Sequence, residues 1–499
     1  MHYRIEIGLQ NHVYPSLYQI NTRVWLTKLS QELGKPATLD DIPDRDLDEV
    51  AEKGFDWIWF LSVWQTGCTS QKVSRSLPEL RKEFEKTLPD LREEDIEGSG
   101  FAITSYTAHA NLGGERALHR LRERLRQRGL RLMLDFVPNH TALDHTWVEE
   151  HPEYYVVGTA EDVLRTPQNY GWAKRKRGDL VLAYGRDPYF PGWSDTFQLN
   201  YGNPETQSAM RDVLMQIAAQ CDGVRCDMAM LLLPEVFERT WGIAAEPFWP
   251  AAIAQVRQLY PEFCFMAEVY WDLEWTLQQQ GFTYTYDKRL YDRLRDGAAR
   301  PVREHFLAGL DYQNKLARFL ENHDEPRAAA TFCSDRHKAA AVLTFVSPGL
   351  RFFHQGQFEG LRKHISPHLV RAPVEAVDQM LKQFYDRLLA VTNQAVVRKG
   401  QWQLLECRPA WEGNWSSDSF ISFAWELDDE RLLVAVNYSS NQAQCYVKLP
   451  FANLADARWQ LQDLMGDAVY EREGSDLHER GLYLDEPPWK AMVFALRQT

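Results

Sequence analysis

The chain has 499 residues, 44% hydrophobic and 25% charged, the balance of a globular protein long enough to bury a sizeable core. Collagen-like, coiled-coil and mostly disordered chains are excluded by that balance. Its 56 Lys+Arg against 70 Asp+Glu leave a net charge of -14, which argues against a phosphate-neutralising surface, so no nucleic-acid partner is expected.

Residues 1–7 carry no long apolar run, so no signal peptide is expected. No window approaches the ~18 uninterrupted apolar residues of a membrane span, so no membrane partner is expected. The seven cysteines are scattered, odd in number and free of any C-x-x-C. They read as reduced thiols of a cytoplasmic protein, mostly core filler. Oligomeric state is left open by the sequence.

From about residue 18 to 395, short apolar runs alternate with helical patterns. Residues 55–63 (FDWIWFLSV) form a buried-strand run after Gly54. Residues 115–128 place Leu118, Leu121 and Leu125 at helical spacing, and Gly129 ends that helix. Residues 130–137, a short run at Val224, and residues 263–269, 282–286 and 317–320 are further strand candidates. Alternation at this rhythm predicts βαβ units and a parallel sheet.

Residues 141–200 break the rhythm, being rich in Tyr, Gly, Pro, Trp and charge. They read as a long irregular insertion, of the kind that usually carries function. Its basic run, Lys174, Arg175, Lys176 and Arg177, reads as a solvated loop. His145 and His151 lack the Cys/His context of zinc and read as solvated loop histidines; no metal site is expected from them. Trp172, Tyr184 and Trp193 fit either a cleft wall or the folding of the insertion itself. Trp271 and Trp275, four apart, read as packing on one helix face. After residue 395 the runs 420–427, 432–438, 444–449 and 491–496 are separated by turns with no helix between them. That predicts an antiparallel all-β domain over 396–499.

Three apolar runs end in acids: Arg225-Cys-Asp227, Met-Ala-Glu268, and Glu321-Asn-His323-Asp324. In a β/α barrel the C-terminal ends of the strands surround one site. The spacings leave room for a helix and a return strand between the first two acids, and for one further strand–helix unit before the third. Paired carboxylates are what glycoside hydrolysis requires, one attacking the anomeric carbon and one donating a proton. Arg225, two residues from Asp227, faces the same side of a strand and would hold that acid ionised. His140 and His323 offer hydrogen bonds to sugar hydroxyls. Each acid taken alone also fits a helix cap or an ion pair.

Asp135-Phe-Val-Pro-Asn139-His140 resembles the first signature of the α-amylase family, glycoside hydrolase family 13. Gly223 to Asp227 resembles the second, Ala267-Glu268-Val269 the third, and Glu321 to Asp324 the fourth, in the family's order. Residues 54–64 resemble its second-strand region, and residues 354–360 its eighth-strand segment. The resemblance implies a (β/α)8 TIM barrel over 1–140 and 201–395, an inserted domain B over 141–200, and a C-terminal antiparallel β-sandwich over 396–499.

It further implies a retaining α-glycosidase acting on an α-glucoside or α-glucan, with Asp227 as nucleophile, Glu268 as acid/base and Asp324 as transition-state stabiliser. Arg225 matches the signature arginine, His140 and His323 the sugar-binding histidines, and Asp135 an acid that supports the site. Phe101 falls where the family places a Tyr stacked under the sugar.

Two departures stand out. Met230 and Leu231 replace a Lys-His pair, which makes the acceptor side apolar. Gln198 stands where an Asp is frequent, and a neutral amide is a weaker ligand for a hard cation. No organic cofactor is required; calcium at Asn139 is the one cofactor the resemblance leaves open. Two rival readings share the scaffold: a transglycosidase with a sugar acceptor, and a catalytically silent carbohydrate-binding relative.

Overall fold

The computed structural model describes residues 13–499, so the expectation about a signal peptide in residues 1–7 falls outside them. Eight strands close a parallel barrel: β1 (Ser16–Asn21), β2 (Trp57–Leu61), β3 (Arg131–Phe136), β4 (Gly223–Cys226), β5 (Cys264–Ala267), β6 (Tyr284–Tyr286), β7 (Leu316–Arg318) and β8 (Leu350–His354). Each strand pairs in parallel with its sequence neighbours, and β1 closes the ring against β8. This is the (β/α)8 barrel expected. Strands such as β2, with all of WIWFL buried, are apolar on both faces because side chains fill the barrel on one side and helices cover the other.

β1 went unread in the sequence because Gln19 and Asn21 interrupt its apolar pattern, although both side chains are buried. The chain leaves the barrel after β3 at His140–Ala142, which pairs antiparallel with Thr196–Gln198. Between these two neck strands lie the short helices Trp147–Glu150 and Ala160–Arg165 and a hairpin of Tyr170–Ala173 with Leu180–Ala183. Lys174, Lys176 and Arg177 lie exposed at its tip, the solvated loop expected.

The C-terminal part is antiparallel, as expected. Its strands are β9 (Gln401–Leu404), β10 (Cys407–Pro409), β11 (Phe420–Leu427), β12 (Glu430–Asn437), β13 (Ala443–Val447), β14 (Arg458–Asp463), β15 (Val469–Glu473), β16 (Leu482–Glu486) and β17 (Ala491–Gln498). One sheet runs β9-β11-β12-β17-β14-β15 and the other β10-β13-β16. The period-2 alternation of β11 serves two cores at once. Phe420 and Ala424 face the small sheet, with Leu433, Cys445 and Leu484. Ile421, Phe423 and Trp425 face the barrel core. Trp425 also donates its indole N–H to the Val346 carbonyl at 2.7 Å, which fixes the sheet on the barrel.

Two packing expectations are corrected. Trp271 is not helical: its φ is 65°, and the helix begins only at Glu274. Trp271 meets Tyr189 edge-on at 5.0 Å, while Trp275 packs on Tyr312. His145 is half-buried rather than solvated; burial pulls its pKa down to about 4, and its ring nitrogen accepts the Trp147 N–H.

Candidate active site

The mouth of the barrel is organised around one buried cation. Arg225, on β4, is 1% exposed, and its guanidinium can serve several acceptors at once. Its Nη1 donates to Asp227 Oδ1 at 2.6 Å. Its Nη2 lies 2.7 Å from Glu268 Oε2 and 3.8 Å from Asp324 Oδ2. Nε reaches the Tyr286 hydroxyl at 3.4 Å. The three acids that end β4, β5 and β7 therefore meet at one guanidinium.

Their environments differ. Asp227 and Glu268 are buried, while the Asp324 side chain is 38% exposed at the rim. Burial pushes the Glu268 carboxyl up to about 8; Arg225 opposes that rise, and the neighbouring Asp227 and Asp324 add to it. Glu268 accepts the Met228 N–H on Oε2 at 2.6 Å and the Tyr270 hydroxyl on Oε1 at 3.0 Å. Met228 reaches it from a left-handed conformation, φ 42° and ψ 46°, which a side-chain-bearing residue adopts only at a cost.

The remaining expected residues converge on the same place. His323 Nδ1 is held by Gln19 Nε2 at 2.8 Å. Its buried Nε2 lies 3.1 Å from Asp324 Oδ2 but is aligned with no acceptor, so a polar atom faces the cleft unsatisfied. Burial lowers the His323 and His140 pKa values, so both rings are neutral donors or acceptors near neutral pH. His140 packs on Trp193 at 5.2 Å, which places Trp193 at the cleft. Tyr184 instead stacks on Phe197 inside the insertion.

The Phe101 ring lies 5.3 Å from the Arg225 guanidinium carbon and 5.4 Å from the His323 ring, so it does border the site. Asp135 supports the site from below. It accepts from the Trp59 indole at 3.1 Å and the Ser62 N–H at 2.8 Å, tying the end of β2 to β3, and burial pushes it up to about 7.

Beyond Glu268 lies a cavity of about 550 Å³ bordered by Phe190, Met228, Tyr270, Trp271 and a charged wall that includes Lys288 and Arg289. The wall's cations are engaged: Lys288 with Asp292 and Glu325, Arg289 with Asp272, and Arg293 with the Pro301 carbonyl. The expectation of an apolar acceptor side from Met230 and Leu231 is overturned. Both are buried core, 0% and 3% exposed, in the turn Ala229–Leu232. Aromatic and ion-paired side chains line the cavity instead.

The neck of the insertion bears on calcium. Asn139 and Gln198 form a reciprocal amide pair, Asn139 Nδ2 to Gln198 Oε1 at 3.0 Å and Gln198 Nε2 to Asn139 Oδ1 at 3.0 Å. Gln198 also donates to the Asn139 carbonyl. The Asn139 oxygens are thus engaged by a neutral amide, a weaker ligand for a hard cation than the carboxylate it replaces. Among the described residues no group of three or more His, Cys, Asp or Glu is arranged to hold a metal ion.

The family model described as "Alpha amylase, catalytic domain" matches residues 46–283, a stretch that includes Asp135, Arg225, Asp227 and Glu268. Over those residues the chain is similar to the α-amylase catalytic domain. It is 21% identical to "Alpha-amylase 3" of Dictyoglomus thermophilum over 309 residues, covering 57% of this chain and 58% of that one. It is 24% identical to the "Intracellular maltogenic amylase" of Bacillus subtilis over 358 residues, covering 66% and 55%. The chain thus spans little more than half the length of these curated relatives.

Among solved structures, a noncanonic maltogenic α-amylase from Thermotoga neapolitana superposes with a TM-score of 0.69 at 16% identity, over 98% of this chain and 99% of that one. At that identity the likeness is one of fold. Within this barrel the signatures do not reveal Gln19, Tyr270 or Tyr286. Tyr270 carried a readable signal, since it stands two residues beyond Glu268. Gln19 carried none, because its role depends on β1 closing the ring next to β8.

Proposed function

We propose that the protein is a retaining α-glycosidase that hydrolyses α-glucosidic bonds of an α-glucoside or α-glucan. The observation that carries this reading is the convergence of Asp227, Glu268 and Asp324 on Arg225, with burial pushing Glu268 up to about 8. At neutral pH one carboxyl is thereby kept protonated beside another bound to a cation, the division of labour that glycoside hydrolysis needs.

Asp227 attacks the anomeric carbon while Glu268 protonates the departing oxygen, giving a glucosyl-enzyme. Glu268 then takes the proton of the incoming water, whose oxygen displaces Asp227 with net retention. Arg225 and Asp324 stabilise the charge that develops, the unsatisfied His323 Nε2 and His140 bind hydroxyls, and Phe101 packs under the ring.

Calcium is not needed by this chain, given the Asn139–Gln198 pair. A cytoplasmic location is supported by seven free cysteines and by the curated name of the Bacillus subtilis relative. Among the described residues no helix is long and apolar enough to cross a membrane.

A proton NMR time course on a panel of α-glucosides tests the reading. Early release of the α-anomer supports it, and the donor consumed names the substrate. New glycosidic signals in place of free sugar identify a transglycosidase. Oligosaccharide binding without turnover overturns the proposal in favour of a silent carbohydrate-binding protein.

A further inference from the structure

Resting on the reading of Glu268 as acid/base, we infer that Tyr270 is a positioning residue: it fixes the transferable proton on Oε1 of Glu268 and aims it at a sugar leaving into the Tyr270–Trp271 cavity. The two oxygens of Glu268 are not equivalent. Oε2 faces Arg225 Nη2 at 2.7 Å and accepts the Met228 N–H at 2.6 Å. Neither donor can reverse its role, since a guanidinium keeps its charge and a backbone amide only donates. An oxygen facing two fixed donors is the poorer place for a proton. Oε1 faces the Tyr270 hydroxyl at 3.0 Å, and a hydroxyl can either donate or accept.

The pair therefore switches with each half-reaction. With Glu268 protonated, Oε1–H is the donor and Tyr270 the resting acceptor. When a substrate arrives, Oε1 gives its proton to the glycosidic oxygen, which leaves with the C1–O electron pair as Asp227 bonds to C1. Tyr270 then turns to donate to the ionised Oε1. In the second half Oε1 takes the proton of the attacking water, its oxygen bonds to C1, and the Asp227–C1 bond breaks. Tyr270 returns to accepting.

The same ring borders the cavity of about 550 Å³, beside Met228, Trp271 and Phe190. Tyr189 packs edge-on against Trp271, and Arg239 lies over both rings. One residue thus touches both the proton and the space into which the leaving group departs. In the charged wall of that space Lys288 pairs with Asp292, Arg289 with Asp272, and Arg293 donates to the Pro301 carbonyl, while Asp187, Glu274 and Asp296 add further acids, which suits a neutral polyhydroxy ligand rather than an anionic one.

Tyr270→Phe keeps the ring and removes only the hydroxyl. Loss of a donor to the ionised form raises the pKa of a carboxyl, so the alkaline limb of kcat/KM should move up by about half to one pH unit. With 4-nitrophenyl α-glucoside, whose leaving group needs little protonation, the step that uses ionised Glu268 becomes limiting. There kcat should fall about tenfold, with KM falling in step as the glucosyl-enzyme accumulates. A side chain that served only as cavity wall would raise KM and leave both limbs in place.

A second measurement does not depend on turnover. The infrared carbonyl band of protonated Glu268, assigned by its loss in Glu268→Gln, should titrate at higher pH and shift to higher frequency in Tyr270→Phe. Unmoved limbs together with an unmoved band overturn the inference. If instead Glu268→Gln keeps the wild-type rate on poor leaving groups, the acid/base reading itself fails, while the infrared titration still judges the Tyr270 bond.

Discussion

Two of the barrel's buried arginine centres, at Arg225 and Arg318, differ in what they leave unsatisfied. At Arg318, Nε donates to Asp287, Nη1 to Ser347 and the Pro348 carbonyl, and Nη2 to Gln313, all within 3.0 Å. Its single carboxylate, Asp287, also accepts from His305 and from the Leu290 N–H. Burial pushes Asp287 up, but His305 and Arg318 outweigh it and hold it down at about 2. At Arg225 one guanidinium faces three carboxylates, and Glu268 is driven to about 8 instead. Burying an arginine with acids does not by itself make a reactive site. A surplus of carboxylate over cation, opening on a cavity, does.

That contrast is broken most directly by exchanging one acid in each centre. Asp227→Asn should lower kcat on the order of 10⁴-fold without loss of Tm, because the nucleophile is removed while Arg225 keeps two other carboxylates. Asp287→Asn should do the reverse, lowering stability by about 3 kcal/mol through a broken buried pair while the rate per folded molecule stays at wild type. Steady-state kinetics beside thermal melts of both variants check this. A stable but inactive Asp287→Asn would erase the distinction.

The two centres should also respond oppositely to pH. Asp287 is depressed in the fold, so its stabilisation is present above its unfolded value near ~3.9 and is lost as pH falls toward about 2. Glu268 is raised, so the fold is favoured below its unfolded value near ~4.3 and loses that contribution as pH rises toward about 8. Glu268→Gln should therefore raise Tm at pH 8 by a few degrees and leave it unchanged at pH 4. In the active enzyme, kcat/KM should decline above about pH 8 as the proton donor ionises.

The smallest effect concerns the neck, where Asn139 and Gln198 form a third buried polar centre, neutral and saturated. Chelation with EDTA should shift Tm by less than about 1 °C if no cation is held there. Gln198→Asp should lower Tm by placing an unpaired charge beside Asn139. Recovery of that loss by added calcium would show that the amide pair replaces an ion.

Much of the fold was readable because its signals are local. The apolar runs around β2, β3 and β5 mark strands wherever they stand, and the acids Asp227, Glu268 and Asp324 follow such runs directly. Signals that depend on distant partners were missed or misread. Gln19 and Asn21 hid β1, since a buried polar residue is allowed only where the closed ring supplies its partner. The family resemblance puts Met230 and Leu231 at the cleft, in place of a Lys-His pair. The left-handed Met228 and the turn after it send both side chains into the core. Trp271 was read as helical from a four-residue spacing that the positive φ of Trp271 and Asp272 breaks.

The sequence by itself determined that three carboxylates end three barrel strands, that Arg225 shares a strand face with Asp227, and that a β domain follows the barrel. These are consequences of periodicity and order along the chain. Only the tertiary structure decided that one guanidinium serves all three acids, that Glu268 is dry enough to hold its proton, and that Tyr270 stands at one of its oxygens. The reason is that the free energy of a charge is set by burial and by the donors around it in space, and neither is encoded in how far apart two residues lie in the chain.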